Sequence, residues 1–135
     1  MKKKICIVVA NYYPDISKGL TNGALKVLKK NGIKNCKKII VPGIYEIPFV
    51  ISKKINYYDG FIALGCVIKG KTPHFEFISK SVINGLIHLS IMNKKPIGNG
   101  IITSLNKKQA IIRSNVNKKD KGGEAAKAII SILKI

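Results

Sequence analysis

The sequence is poor in several residue types, and each shortage argues against a class of protein. Its 135 residues include no tryptophan, three cysteines and six acidic residues. The three cysteines are widely spaced among apolar residues, which argues against a disulfide framework and a zinc knuckle and favours a reducing cytoplasm. Every apolar run is too short to cross a bilayer, so we expect a soluble protein with no membrane association.

Arginine is nearly absent too. All but one of the 25 basic residues are lysine, and the exception is Arg113. The lysines are spread over the whole chain, so we interpret the net charge of +19 as a compositional trend and predict no nucleic-acid partner. A lone arginine indicates a position where the planar, forked guanidinium is needed, usually to bind phosphate or carboxylate. An arginine left by chance on a helix surface is the alternative.

Hydrophobic spacing predicts strands that alternate with helices. Continuous apolar runs indicate fully buried strands, and apolar residues at helical spacing indicate helices. Such an alternation favours a three-layer α/β fold in which a four-stranded parallel sheet is flanked by helices on both faces, as a single domain over residues 1–135. Asp15 is expected to cap the first helix and Gly32 to end it. The predicted strands span residues 5–10, 38–41, 61–66 and 97–103, and the predicted helices span residues 16–31, 46–54, 73–92, 107–114 and 119–133.

In open α/β sheets, ligands bind beyond the carboxyl ends of the strands. One predicted loop at that edge contains several residues suited to binding an anion or moving protons. Lys71 precedes Thr72, a good helix N-cap, and Pro73, a residue suited to the first helical position. Free N–H groups at such a helix start, with a lysine beside them, form an anion site that suits phosphate. His74 follows and could move protons there. An ordinary capped helix with a structural histidine is the alternative.

Two further loops carry candidate binding residues. Glu46 lies in an otherwise apolar, turn-rich stretch and could accept hydrogen bonds from a polar ligand, or simply complement a helix dipole. Tyr12 and Tyr13 follow the first predicted strand, where a ring could stack on a planar heterocycle or pack at the sheet edge. The sequence shows no phosphate loop, no dinucleotide glycine pattern, no metal-ligand cluster and no serine or cysteine nucleophile arrangement.

Several segments in the same order resemble the lumazine synthase family of riboflavin biosynthesis. They are residues 41–48 (VPGIYEIP), 63–76 (ALGCVIKGKTPHFE), 109–113 (QAIIR), 121–122 (KG) and 124–126 (EAA). The resemblance runs over nearly the whole chain. It implies a flavodoxin-like subunit that condenses 5-amino-6-ribitylaminouracil with 3,4-dihydroxy-2-butanone 4-phosphate, the penultimate step of the pathway. The products are 6,7-dimethyl-8-ribityllumazine, phosphate and water, and neither a metal nor an organic cofactor is implied.

The resemblance also assigns roles to residues of this sequence. His74 would be catalytic and move protons, and the phosphate would be bound by Arg113, Lys71, Thr72 and Lys121. The pyrimidine ring and the ribityl chain would contact Tyr12, Ile44, Tyr45, Glu46, Cys66, Val67, Ile68 and Asn99.

The family further implies a homo-oligomer, a pentamer with sites between subunits or a shell of sixty, and an association with riboflavin synthase. Three positions depart from its pattern. Asn11 and Tyr13 replace an arginine and an asparagine beside the stacking aromatic, and Asn99 stands where a neighbouring subunit often supplies an aromatic. These departures leave an alternative, a non-catalytic flavin- or lumazine-binding module of the same fold.

Overall fold

The computed structural model describes residues 2–135, in which four strands alternate with five α-helices. A 3-10 helix precedes the second α-helix. The elements, in chain order, are β1 (Lys4–Ala10), α1 (Pro14–Lys30), β2 (Asn35–Val41), the 3-10 helix (Ile44–Glu46), α2 (Ile47–Lys54), β3 (Gly60–Ile68), α3 (His74–Asn93), β4 (Ile97–Ser104), α4 (Lys107–Ser114) and α5 (Lys121–Leu133).

The four strands form one parallel sheet in the order β2-β1-β3-β4. The chain runs from β1 outward to β2 and then crosses to the other side of β1 to form β3. The strand order therefore reverses between β1 and β3, and a cleft opens at such a switch point in doubly wound sheets. β4 is an edge strand that pairs only with β3 among the described strands, and its Thr103 lies in register with Val67.

Helices cover both faces of the sheet, because the strand side chains alternate between two apolar clusters. Ile5, Ile7 and Val9 of β1 pack against α1, α4 and α5. Cys6 and Val8 point the other way and pack against α2 and α3. The predicted three-layer α/β fold with a four-stranded parallel sheet is confirmed.

The end of α1 follows the sequence prediction. Gly32 has a φ of 77°, a left-handed conformation that costs glycine nothing. Its N–H donates to the Lys29 carbonyl at 3.1 Å, and the Ile33 N–H donates to the Leu28 carbonyl at 3.0 Å. These two bonds are the Schellman pattern, and Ile33 and Leu28 are both buried in the same apolar cluster. Gly32 is therefore the stop signal of α1.

The start of α1 differs from the prediction that Asp15 is the cap. Pro14 occupies the first helical position, where its fixed φ suits the helix, and Tyr13 is the N-cap. Asp15 lies inside the first turn, and its Oδ1 is 3.1 Å from the Lys107 Nζ. This ion pair lowers the pKa of the Asp15 carboxyl.

Two other predictions need correction. β2 is not fully buried, because it is the outer strand beside β1 and exposes Lys37, Lys38 and Ile40. α5 begins two residues later than predicted, since Asp120 adopts a left-handed φ of 45° and its side chain accepts a hydrogen bond from the Gly123 N–H at 3.2 Å. Among residues 2–135, no helix combines the length and the apolar character needed to cross a membrane.

Candidate functional site

A cleft of about 370 Å³ opens at the carboxyl ends of β1 and β3, where the strand order reverses. We call it the switch cleft. Segments from four loops and elements meet there, and residues far apart in the sequence become neighbours. Its lining consists of Tyr12, Tyr13, Gly43, Ile44, Tyr45, Glu46, Cys66, Val67, Ile68, His74 and Ile78.

Two aromatic rings follow β1 and form one wall of the switch cleft. The rings of Tyr12 and Tyr13 meet edge to face, with centroids 4.9 Å apart and planes at 76°. Tyr12 is 72% exposed, so a large part of its side chain is open to a ligand. Tyr13 is half-buried, and the Lys107 ammonium lies 5.2 Å from its ring centroid. The exposed ring of Tyr12 is open to stacking by a flat ligand.

Glu46 enters the cleft from the short 3-10 helix. Its Oε1 accepts a hydrogen bond from the Gly43 N–H at 2.9 Å, which holds the half-buried carboxylate in one orientation. Oε2 has no hydrogen-bond donor among residues 2–135. The carboxylate thus serves the local helix start and still offers an oxygen to hydroxyl groups of a ligand. Both interpretations of this residue are compatible with the geometry.

His74 is the first residue of α3 and lines the switch cleft with its imidazole exposed to solvent. The prediction that Thr72 caps this helix is wrong by one residue. Pro73 is the N-cap, because its carbonyl accepts the N–H groups of Glu76 at 3.1 Å and Phe77 at 3.2 Å.

Cys66 lies at the end of β3 and contributes to the floor of the switch cleft. Burial raises the pKa of its thiol to about 11, with smaller contributions from charges nearby. The side chain is therefore a neutral thiol at physiological pH. Because the nucleophilic form of cysteine is the thiolate, Cys66 is suited to packing against a ligand rather than to attacking one.

A second cleft, of about 640 Å³, runs along the edge strand β4 beneath α4 and the start of α5. We call it the edge cleft. Arg113 is half-buried there and donates from a guanidinium N–H to the Thr103 carbonyl of β4. The Nζ of Lys121 is 3.0 Å from the Glu124 Oε2. Its lining consists of Asn99, Gly100, Ile101, Ile102, Thr103, Gln109, Ile112, Arg113, Lys119 and Lys121.

The two clefts divide the predicted site residues between them and share no lining residue. His74 and all but one of the residues predicted for the ring and ribityl chain line the switch cleft. Asn99 lines the edge cleft together with Arg113 and Lys121. Lys71 and Thr72 are exposed and line neither cleft. Within one chain, the predicted phosphate residues are therefore not gathered at the start of α3.

Some lining residues were not predicted from the sequence, although helical spacing could have indicated two of them. Ile78 lies one turn after His74 on α3, and Gln109 lies one turn before Arg113 on α4, so each shares a helix face with a predicted residue. Lys119 gives no such signal. It lies in the connection between α4 and α5, and a single lysine among 24 other basic residues is not distinctive before the chain is folded.

Comparisons with known proteins agree on one family. The family model described as 6,7-dimethyl-8-ribityllumazine synthase matches residues 2–135. A protein of that name from Blochmanniella pennsylvanica is 44% identical, and the alignment covers 99% of this chain and 88% of that protein. Relatives of the same name from Buchnera aphidicola and Bartonella bacilliformis are 43% and 41% identical, covering 99% and 96% of this chain and 87% of each relative. The chain belongs to the 6,7-dimethyl-8-ribityllumazine synthase family.

Proposed function

We propose that the chain condenses 5-amino-6-ribitylaminouracil with 3,4-dihydroxy-2-butanone 4-phosphate to give 6,7-dimethyl-8-ribityllumazine, phosphate and water. One observation carries the proposal beyond the family name. The switch cleft brings an open aromatic ring, an oriented carboxylate and a histidine together at the reversal of the strand order. These groups suit a flat heterocycle with a hydroxylated chain and a reaction that moves protons.

The pyrimidine and its ribityl chain occupy the switch cleft in this proposal. Tyr12 stacks on the ring, and Cys66, Val67 and Ile68 border it. The free oxygen of Glu46 accepts hydrogen bonds from ribityl hydroxyls, beside Ile44 and Tyr45. The Gly43–Glu46 bond supports this role, because it holds the carboxylate in place before the ligand arrives.

The chemistry needs no protein nucleophile. The amine of the uracil attacks the ketone of the butanone phosphate, and loss of water forms the imine. Loss of a proton from the carbon that bears the neighbouring hydroxyl expels the phosphate and leaves an enol, which takes up a proton at its terminal carbon and becomes a ketone. The ribityl-bearing amine attacks this ketone, and loss of a second water closes the ring. The protonated thiol of Cys66 fits this scheme, since the substrate itself supplies the nucleophile. His74 moves the protons that these steps release and consume.

The phosphate is bound by Arg113 with Lys121, and by Lys71 and Thr72 from the loop before α3. A guanidinium presents parallel N–H donors to phosphate oxygens, and this geometry explains why arginine stands at one position in a lysine-rich chain. Neutralising the phosphate also favours its departure. The arrangement requires the edge cleft and the switch cleft to face one another, which a single chain does not provide.

A pentamer with a site at each boundary resolves this separation. The edge cleft of one subunit, with Arg113 and Asn99, would lie against the switch cleft of the next, with His74. An apolar stripe on α3 supports a homo-oligomer, because Phe77, Ile87 and Ile91 are 68%, 57% and 68% exposed. Closed cyclic symmetry gives every subunit the same pair of contacts. Assembly into a shell of sixty, association with riboflavin synthase and a cytoplasmic location stay predictions.

Turnover tests the function directly. Purified protein is mixed with both substrates and lumazine fluorescence is followed, with the uncatalysed mixture as control because the condensation can proceed slowly alone. We expect acceleration that Arg113→Ala abolishes. Binding of the product by a folded, assembled protein without acceleration would instead indicate a non-catalytic flavin- or lumazine-binding module.

Assembly has its own test. Ile87→Glu with Ile91→Glu places two charges on the apolar stripe of α3, and sedimentation should show loss of the oligomer. Lys127→Glu, an exposed position on α5, changes the charge without touching the stripe and serves as control. A monomeric wild-type protein, or a double variant that still assembles, would contradict the proposed interface.

A further inference from the structure

The edge cleft contains a third cation for which the sequence and the family resemblance assign no role. Arg113, Lys119 and Lys121 all line it, and no carboxylate of residues 2–135 does. Arg113 already donates to the Thr103 carbonyl, and Lys121 is paired with Glu124. Lys119 forms no ion pair with any of residues 2–135. Arg113 forms no ion pair in that range either, because its bond to a carbonyl leaves its charge in place, so the cleft holds two positive charges that the described residues do not neutralise.

The position of Lys119 is fixed by its backbone. The connection after α4 folds back on that helix, and the Lys119 N–H donates to the Ile112 carbonyl at 3.2 Å. Ile112 immediately precedes Arg113, so this bond keeps the backbone of Lys119 close to that of Arg113. The next residue, Asp120, donates its N–H to the Asn115 carbonyl at 3.0 Å and caps α5 with its side chain. The backbone of Lys119 is thus anchored on both sides.

The neighbouring lysine provides an internal comparison. The Lys118 N–H donates to the Asn115 carbonyl at 3.0 Å, so Lys118 belongs to the same folded connection and is also exposed. It does not line the edge cleft. The two lysines are adjacent and carry the same charge. They differ in that only Lys119 lines the cleft.

We propose that Lys119 is a phosphate-binding residue that acts with Arg113 on the phosphate of the butanone substrate. This inference rests on the proposed function for its substrate and on the edge cleft for its geometry. A guanidinium fork fixes the orientation of a phosphate, while a flexible ammonium adds charge to whichever oxygens the fork leaves free. We expect this exposed ammonium to contact the phosphate equally in the ground state and in the transition state, so Lys119 acts on KM rather than on kcat.

The test compares Lys119→Gln with the matched control Lys118→Gln. For Lys119→Gln we expect KM for the butanone phosphate to rise about fivefold, the scale of one exposed charge contact, with kcat and the KM for the uracil unchanged. Lys118→Gln should match the wild type, and Lys119→Arg should retain most of the affinity. Raising the salt concentration should reduce the difference in KM for the butanone phosphate between wild type and Lys119→Gln, because mobile ions screen an exposed charge.

A second measurement separates this inference from the proposed function. Inorganic phosphate is titrated into wild type and both glutamine variants by calorimetry, which requires no turnover. Weaker phosphate binding by Lys119→Gln alone supports the inference even if the protein does not accelerate the condensation. Equal phosphate affinity in the two glutamine variants, or equal KM values in an active enzyme, would overturn the role of Lys119 and leave the proposed function standing. Failure of the wild type to bind phosphate would also overturn the role of Lys119.

Discussion

The switch cleft and the edge cleft are lined by opposite chemistries. The switch cleft contains Tyr12, Glu46 and His74 and is lined by no lysine or arginine of residues 2–135. The edge cleft is lined by Arg113, Lys119 and Lys121 and by no aromatic or acidic residue of that range. One surface suits a flat, uncharged ring with hydroxyl groups, and the other suits an anion. A reaction that joins a pyrimidine to a phosphorylated ketone needs both.

Their separation within one chain is as informative as their composition. The switch cleft belongs to loops at the carboxyl ends of the inner strands, whereas the edge cleft runs along an outer strand. An outer strand is where a second subunit can approach without disturbing the core. Variants that disable one cleft, and mixtures that test whether the two clefts cooperate, probe this division.

Removing His74, the proposed proton-transfer group of the switch cleft, should have the largest effect. His74→Ala should lower kcat about 100-fold, within the usual contribution of general acid–base catalysis, while sedimentation shows the same assembly as wild type. His88→Ala is the matched control, since His88 is exposed on the same helix and lines neither cleft. An unchanged kcat for His74→Ala would remove this histidine from the mechanism.

Weakening the edge cleft should produce a smaller and more selective effect. Arg113→Lys keeps the charge and loses the fork, so KM for the butanone phosphate should rise about tenfold while binding of the uracil changes little. Steady-state kinetics with each substrate varied in turn measures the two effects. Equal losses for both substrates would argue against a phosphate role for Arg113.

Mixing two inactive variants tests whether the clefts meet between subunits. Subunits carrying His74→Ala and subunits carrying Arg113→Ala, co-assembled in equal amounts, should regain about one quarter of wild-type activity. That fraction is expected because a boundary works only when one side retains the histidine and the other retains the arginine. Each variant alone is the control. No recovery in a properly mixed oligomer would place both residues of a site in the same subunit.

The smallest effect is expected from thiol chemistry in the switch cleft. Burial raises the pKa values of Cys66 and Cys6 to about 11, so both remain protonated at neutral pH. Iodoacetamide at neutral pH should therefore lower turnover less than about twofold, since alkylation requires the thiolate. Labelling should accelerate as the pH rises toward 11, which mass spectrometry can follow. Rapid labelling of Cys66 at neutral pH, with loss of activity, would contradict this.

Local sequence patterns predicted most of the fold, namely the elements whose residue types match their burial in the folded chain. Buried strands such as β1 and β3 have continuous apolar runs, and Gly32 ends α1 as its conformational freedom suggests. The prediction was poorest at β2, which begins three residues earlier than expected. As an outer strand it exposes Lys37 and Lys38, and a run of mostly exposed residues that includes lysines does not resemble a buried strand.

The start of α3 shows a different kind of error. Thr72 has a good capping side chain, yet the Pro73 carbonyl receives the first helical hydrogen bonds. Capping preference is a difference of about 1 kcal/mol, which tertiary contacts readily override. Helix boundaries are therefore less predictable than the helices themselves.

The sequence by itself determined the alternation of strands and helices, the family and the identity of most residues in the switch cleft. These follow from side-chain spacing and from motifs that are contiguous along the chain. Only the tertiary structure decided that Arg113 and His74 belong to different clefts, and that Lys119 rather than Lys118 lines one of them. Both facts depend on the direction in which folded segments face. Hydrogen bonds such as that from the Lys119 N–H to the Ile112 carbonyl set this direction, and the order of residues along the chain does not specify it.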